Sequence, residues 1–180
     1  MLSSAINKAD HCLGNPNANI ILLVYEDYEC EYCGESYREI KALREHFKDK
    51  ICIIYKHFPF IRMHPSAYLA ALVVEACALQ QKFIQAHDLI FECQEFMEYG
   101  LSGILHLLEE KYFISIEQLN KDLQNEELKR KINEDIESGM RCHITKTPAI
   151  FINGNKYEGE VKFKHIVKVI EEMIKNDFTN

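Results

Sequence analysis

An α/β fold, in which a β-α-β unit and a β-β-α unit flank an all-helical block, is predicted by three stretches of the 180-residue sequence. First, the short apolar run Ile20 to Tyr25 ends in polar residues and passes into a helical pattern with Tyr37, Ile40, Arg44 and Phe47 on one face. It reads as a buried strand handing over to a helix. Second, the texture from about His64 to Gly139 is helical throughout. Third, Pro148 to Ile152 is strand-like again, and Asn153-Gly154 behind it is the strongest short hairpin signal.

Taken in order, Gly14-Asn15-Pro16-Asn17-Ala18 has turn chemistry and leads into the first core strand. A helix from Cys33 to about Phe47 follows, and Ile51 to Tyr55 is a second buried strand. Strand, helix and strand imply a right-handed crossover and parallel pairing. Lys56 to Phe60 leaves as a loop, and Ser66 to Leu79 is apolar on nearly every side, as expected of a buried helix. Phe83, Ala86, His87, Ile90 and Phe91 keep a helical face, followed by Leu101 to Tyr112, a segment opened by Ser115 with Gln118 as a capping box, and Glu126 to about Ser138. Beyond the hairpin, Lys156-Tyr157-Glu158 is the returning strand, and Phe163 to Ile174 is an amphipathic helix. The division is residues 1–63 with 140–180 as the α/β part and 64–139 as the helical insertion.

Composition narrows the function. A net charge of -7 without basic clusters argues against nucleic acid as a partner. The longest strongly apolar stretches are far shorter than a membrane span, so no membrane association is expected. Lys8, Asp10 and His11 stand where a leader would need an apolar core, and several of the seven cysteines are scattered through apolar patterns. Both features point to a reducing compartment, the cytoplasm.

The chemistry lies in Cys30-Glu31-Tyr32-Cys33, placed where the strand becomes the helix. The first helical turn presents unpaired N–H groups and the positive end of the helix dipole, which stabilise a thiolate, the reactive form of cysteine. Cys30 is expected ahead of the helix and exposed, as the attacking thiol. Cys33 is expected within the first turn and shielded, as the resolving one. The two sulfurs can stay a dithiol or close a small disulfide ring.

These features resemble the thioredoxin fold, and the helical block makes the chain similar to the DsbA-like thiol-disulfide oxidoreductases. The resemblance runs from about Asp10 to Ile174, through the turn at Gly14, Asp27 to Gly34, Lys56-His57-Phe58-Pro59, His64-Pro65-Ser66-Ala67, Phe83 to Asp88 and Thr147 to Gly154. It implies a cis peptide before Pro148, packed opposite the cysteine pair, and a substrate segment that adds as a strand along the backbone of Thr147. It implies cysteine-containing protein substrates, a redox partner protein or glutathione as electron partner, and no bound cofactor. Strong oxidants of this family carry histidine second inside the motif; here the pair is Glu31-Tyr32. With Glu26, Asp27, Glu29 and Glu35 nearby, like charge should make Cys30 less acidic than in those oxidants.

Other readings accompany this one. The pair could be dispensable on a thioredoxin-like adaptor that binds a partner or senses redox state. A glutathione-dependent enzyme on the same fold commonly has serine where this chain has Cys30. A zinc site needs about four ligands, and Cys142-His143 chelates poorly as neighbours; His57, His64 and His87 read as structural. Asp27 is either a buried carboxylate relaying protons to Cys33 or a turn residue ending the strand. Tyr32 either shapes the substrate surface or is merely exposed. Cys52, Cys77 and Cys93 read as core thiols, and Cys142 as a further thiol near the site.

Overall fold

The computed structural model describes residues 9–177; residues 1–8, part of the stretch on which the leader was judged, lie outside it. The elements run β1 (Cys12–Gly14), β2 (Ile20–Glu26), α1 (Glu31–Phe47), β3 (Ile51–His57), α2 (Ala67–Leu79), α3 (Phe83–Glu92), α4 (Ser102–Tyr112), α5 (Ile116–Asp122), α6 (Glu126–Arg141), β4 (Ala149–Ile152), β5 (Asn155–Lys156) and α7 (Phe163–Asp177). They form one five-stranded sheet in the order β1-β3-β2-β4-β5. Strands β2 and β3 pair in parallel; β1, β4 and β5 join antiparallel. This is the thioredoxin-like α/β architecture that the two flanking units predict. Among the described residues no helix is long and apolar enough to cross a membrane.

The central strands are buried on both faces, which explains why Ile20 to Tyr25 is apolar without alternation. Val24 and Leu22 face one apolar cluster with Tyr37, Ile40 and Leu43 of α1, Ile166 of α7 and Val73 and Val74 of α2. Leu23 and Tyr25 face the other, with Cys52, Ile54, Phe58 and Phe151. The helical block therefore packs into the same core as the sheet.

Several expectations are corrected. The strand β1 was not foreseen; its three residues pair with β3 from the turn-like segment before Asn15, too short to show a period. Through that pairing Cys52 is bonded to Cys12 in a disulfide with Cα atoms 5.8 Å apart, so it is not a free core thiol. The scattered cysteines invoked for a reducing compartment thereby lose two members. Helix α6 does not stop near Ser138: it runs through Gly139, where a Cβ would collide with the Phe58 ring, so the glycine serves close packing rather than helix termination. At α5 the hydroxyl of Ser115 accepts from the Gln118 N–H, but the Gln118 side chain reaches Asp122 instead of closing the box. The returning strand is only Asn155–Lys156.

Between β3, α2 and α6 lies a buried ionic network. Lys56 Nζ donates to Asp10 at 2.6 Å and to Asp135 at 2.8 Å, and Lys131 bridges Asp135 and Glu75 at 3.0 and 2.6 Å. His57 and His11 hold the two oxygens of Glu75 at 2.8 and 2.9 Å. A charged lysine in the core is tolerable only because each cation meets carboxylates on opposing elements.

Candidate functional site

The strand β2 ends at Glu26, and the chain turns through Asp27 to Cys30, whose N–H donates to the Asp27 carbonyl at 3.2 Å. Cys30 is the N-cap of α1, with extended backbone, and its carbonyl accepts from Cys33 and Gly34 N–H at 2.9 and 3.1 Å. Strand β4 lies antiparallel to β2 with Ala149 opposite Tyr25. The loop entering β4 therefore leaves the sheet at the same end as the turn into α1. That register brings the Thr147 carbonyl to 3.4 Å from Cys30 Sγ, and the Thr147–Pro148 peptide beside it is cis.

Cys33 is 1 % exposed and Cys30 8 %. The expectation that Cys30 stands open is thus corrected: the Thr147 carbonyl lies against its sulfur, and Gln94 of the helical block is hydrogen-bonded to its carbonyl. Both thiols are free.

Their protons are held unequally. The thiol of Cys33 hydrogen-bonds to Cys30 and pulls its pKa down to about 6; burial opposes this and the neighbouring Thr147 assists it. Burial is the main cause that drives Cys33 well above the ordinary thiol value, and sharing its proton with Cys30 raises it further. At neutral pH Cys30 is mostly thiolate and Cys33 is thiol. A pKa of about 6 is well above the roughly 3.5 of the most acidic thioredoxin-fold cysteines. Of the five carboxylates seen in the sequence, Asp27 weighs against Cys30, whereas Glu26 is bound to buried His87 and Glu29 accepts from the Ser66 N–H. Glu31 and Glu35 point outward. The rate of Cys30 alkylation by iodoacetamide is expected to rise with pH through a midpoint near 6, read by mass spectrometry of the Cys30 peptide; a midpoint near roughly 8.5 would contradict this arrangement.

Asp27 is fully buried. Its Oδ1 accepts from Glu29 N–H at 2.9 Å, its Oδ2 accepts from Phe60 N–H at 2.7 Å and meets His64 Nδ1 at 2.8 Å, and its own N–H points at Cys33 Sγ, 3.4 Å away. The residue thus closes the turn as well as neighbouring the Cys33 thiol. Tyr32 is 69 % exposed beside a groove of about 600 Å³ lined also by Lys146, Thr147, Pro148, Tyr157 and Lys162. Cys142 is not part of this site: it packs against the Tyr25 cluster on the other face of the sheet, because the chain leaving α6 crosses that face before reaching β4. Among the described residues no group of three or more His, Cys, Asp or Glu side chains could hold a metal ion.

Sequence reasoning missed Gln94, in the short 3-10 turn Gln94–Tyr99 after α3. Its Nε2 donates to the carbonyls of Tyr28 and Cys30 at 2.8 and 2.9 Å. Nothing local to Phe91-Glu92-Cys93-Gln94 signals a contact with a turn more than sixty residues earlier. Only Gly34, directly after the cysteine pair, hinted that something approaches α1 there.

A family model described as thioredoxin matches residues 6–172. Over 164 residues the chain is 29% identical to a protein of Mycobacterium sp. (strain KMS) named Na(+)/H(+) antiporter NhaA 1, covering 90% of this chain and 26% of that protein. The chain thus spans about a quarter of the length of these curated relatives. Among solved structures it superposes on alpha-DsbA1 of Wolbachia pipientis with a TM-score of 0.83 and 21% identity, covering 97% of this chain and 95% of that one. It superposes on oxidised BdbD from Bacillus subtilis with a TM-score of 0.79 and 24% identity, covering 93% and 94%.

Proposed function

The chain belongs to the thioredoxin family, and from that premise we propose that it is a DsbA-like protein thiol-disulfide oxidoreductase working through Cys30 and Cys33. The observation that carries the proposal is the placement of two free thiols: Cys30 caps α1 with its sulfur 3.4 Å from the Thr147 carbonyl, beside the cis Thr147–Pro148 peptide, and Cys33 lies buried in the first turn. The lowered Cys30 pKa and the raised Cys33 pKa agree with it. In the reductive direction the Cys30 thiolate attacks one sulfur of a substrate disulfide, the substrate S–S bond breaks, and one substrate thiolate leaves. Cys33 then loses its proton and attacks Cys30 Sγ. The mixed disulfide breaks, the second substrate thiol departs, and the Cys30–Cys33 disulfide carries away the two electrons' worth of oxidation. Substrate oxidation is the same sequence reversed.

Asp27 is proposed to take the Cys33 proton at the resolving step, with His64, partly exposed, linking it to solvent. Thr147 offers backbone to an extended substrate, and Tyr32 with the adjoining groove receives its side chains. The relatives named antiporters are proposed to share this module over the matched quarter of their length, not to lend this chain ion transport. Equilibration in graded glutathione buffers, with trapping of free thiols for mass spectrometry, tests the proposal. A potential near roughly -230 to -270 mV supports exchange in a reducing compartment, and one near roughly -120 mV supports an oxidase in an oxidising one. Failure of the pair to close a disulfide across the whole range would overturn the proposal in favour of an adaptor.

A further inference from the structure

The turn that carries Cys30 is held by more than its own helix. Its carbonyl already accepts the two N–H groups that begin α1, from Cys33 and Gly34. The side-chain amide of Gln94 supplies a third donor to that oxygen, and through the same nitrogen a bond to the Tyr28 carbonyl on the other side of the turn. One NH₂ group from the helical block thus ties together the central Tyr28–Glu29 peptide of the Asp27–Cys30 turn and the Cys30–Glu31 peptide leaving it. The other end of the amide explains a sequence feature: a Cβ at Gly34, the residue directly after Cys33, would collide with Gln94 Oε1. The Gln94 amide therefore sits with its oxygen end against the start of α1, where a glycine at position 34 leaves it room.

We propose that Gln94 is a positioning residue for the Cys30–Cys33 pair, fixing the Cys30–Glu31 peptide so that Cys30 Sγ stays against the Cys33 thiol and the first turn of α1. The inference deepens the oxidoreductase reading and rests on it for its functional meaning. The physical basis is that thiolate stabilisation here comes from short-range hydrogen bonding to Cys33, which tolerates little rotation of the Cys30 backbone. A partial positive amide over two carbonyls also favours negative charge nearby, and a carboxylate in its place would do the reverse.

Three single variants and one double variant separate this role from plain packing. Gln94→Glu sets a negative group against two carbonyl oxygens and near Cys30, and is expected to raise the Cys30 ionisation midpoint by about one unit, a roughly tenfold loss of thiolate below that midpoint. Gln94→Ala shifts it in the same direction by less. Gly34→Ala displaces the amide, the far end of a flexible side chain, while improving helix propensity, so it should reproduce the Gln94→Ala shift at little loss of thermal stability. In the double variant Gly34→Ala/Gln94→Ala the second substitution should add nothing to the first.

The readouts are the pH profile of Cys30 alkylation and, in parallel, the glutathione equilibrium constant of the pair. Unchanged midpoints in Gln94→Glu and Gly34→Ala, whatever happens to Tm, would overturn the positioning role. The alkylation profile reports on reduced Cys30 alone, so it decides this inference even if the pair never closes a disulfide. That outcome of the glutathione titration would sink the oxidoreductase reading instead.

Discussion

Replacing Cys33 with serine is expected to stop turnover at the mixed disulfide, lowering disulfide-exchange activity on the order of 10³-fold or more while leaving the fold intact. Cys33 is buried under Cys30 and, among the described residues, is the thiol placed to attack its sulfur. Serine is nearly isosteric but cannot break an S–S bond. Protein–protein adducts resistant to denaturant and released by dithiothreitol should accumulate in Cys33→Ser and be absent from Cys30→Ser, as seen on non-reducing gels with mass spectrometry of the linked peptides. Asp27→Asn should slow release of the same adduct without blocking its formation, since Asn can still accept the Glu29 N–H that closes the turn, while it loses the Phe60 N–H contact and takes no proton. A Cys33→Ser protein that turns over at the wild-type rate would mean a single-thiol chemistry and defeat the two-step scheme.

The second large effect concerns stability. Asp135→Ala removes a carboxylate shared by two buried cations: Oδ1 accepts from Lys56 Nζ, while Oδ2 accepts from Lys131 Nζ and the His57 backbone N–H. Lys56 keeps Asp10 and Lys131 keeps Glu75, so the loss falls at the lower end of the about 3–5 kcal/mol of a broken buried pair, still a large share of the roughly 5–15 kcal/mol that holds a domain together. A fall in Tm on the order of 10 °C should follow, measured by scanning calorimetry. By contrast, Glu117→Gln breaks only the exposed pair with Lys121 and should change stability by under about 0.5 kcal/mol. A similar Tm for both variants would show that the network contributes no more than a surface pair.

The same network sets an acid limit. Burial raises the Glu75 pKa, but hydrogen bonds from His11 and His57 and the charge of Lys131 outweigh it and hold the carboxyl well below its usual range. Asp88 is likewise depressed, burial being outweighed by His87 and Arg44. Groups depressed in the folded state contribute stability that is fully present above their unfolded values, near about pH 4, and lost as pH falls below them. His87 works in the opposite sense. Burial lowers its pKa, but Glu26 and Asp88 on either side raise it further, so its contribution is complete below about pH 6.5 and declines as pH rises through its folded value. Stability should therefore drop steeply below about pH 4 and more gently on the alkaline side.

What the sequence determined by itself is local. Apolar runs, helical periods, the Asn153-Gly154 turn and the position of Cys30 and Cys33 at a strand-to-helix junction all follow from residues within a few positions of one another. With Thr147-Pro148, that suffices for the architecture and for the place of the cysteine pair within it. Only the tertiary structure decided what depends on distant segments. The burial of Cys30 comes from a loop more than a hundred residues later. The Cys12–Cys52 disulfide exists because β1 pairs with β3, and Cys142 falls outside the site because the chain after α6 lies on the other sheet face. Glu26 and Glu29 read as charges crowding Cys30, yet the fold commits them to His87 and to the start of α2, where they no longer dominate the thiol. The acidity of Cys30 is accordingly set first by its hydrogen bond to Cys33, three residues on, and then by burial and by Thr147 from a distant loop, and charge counted along the sequence does not supply it.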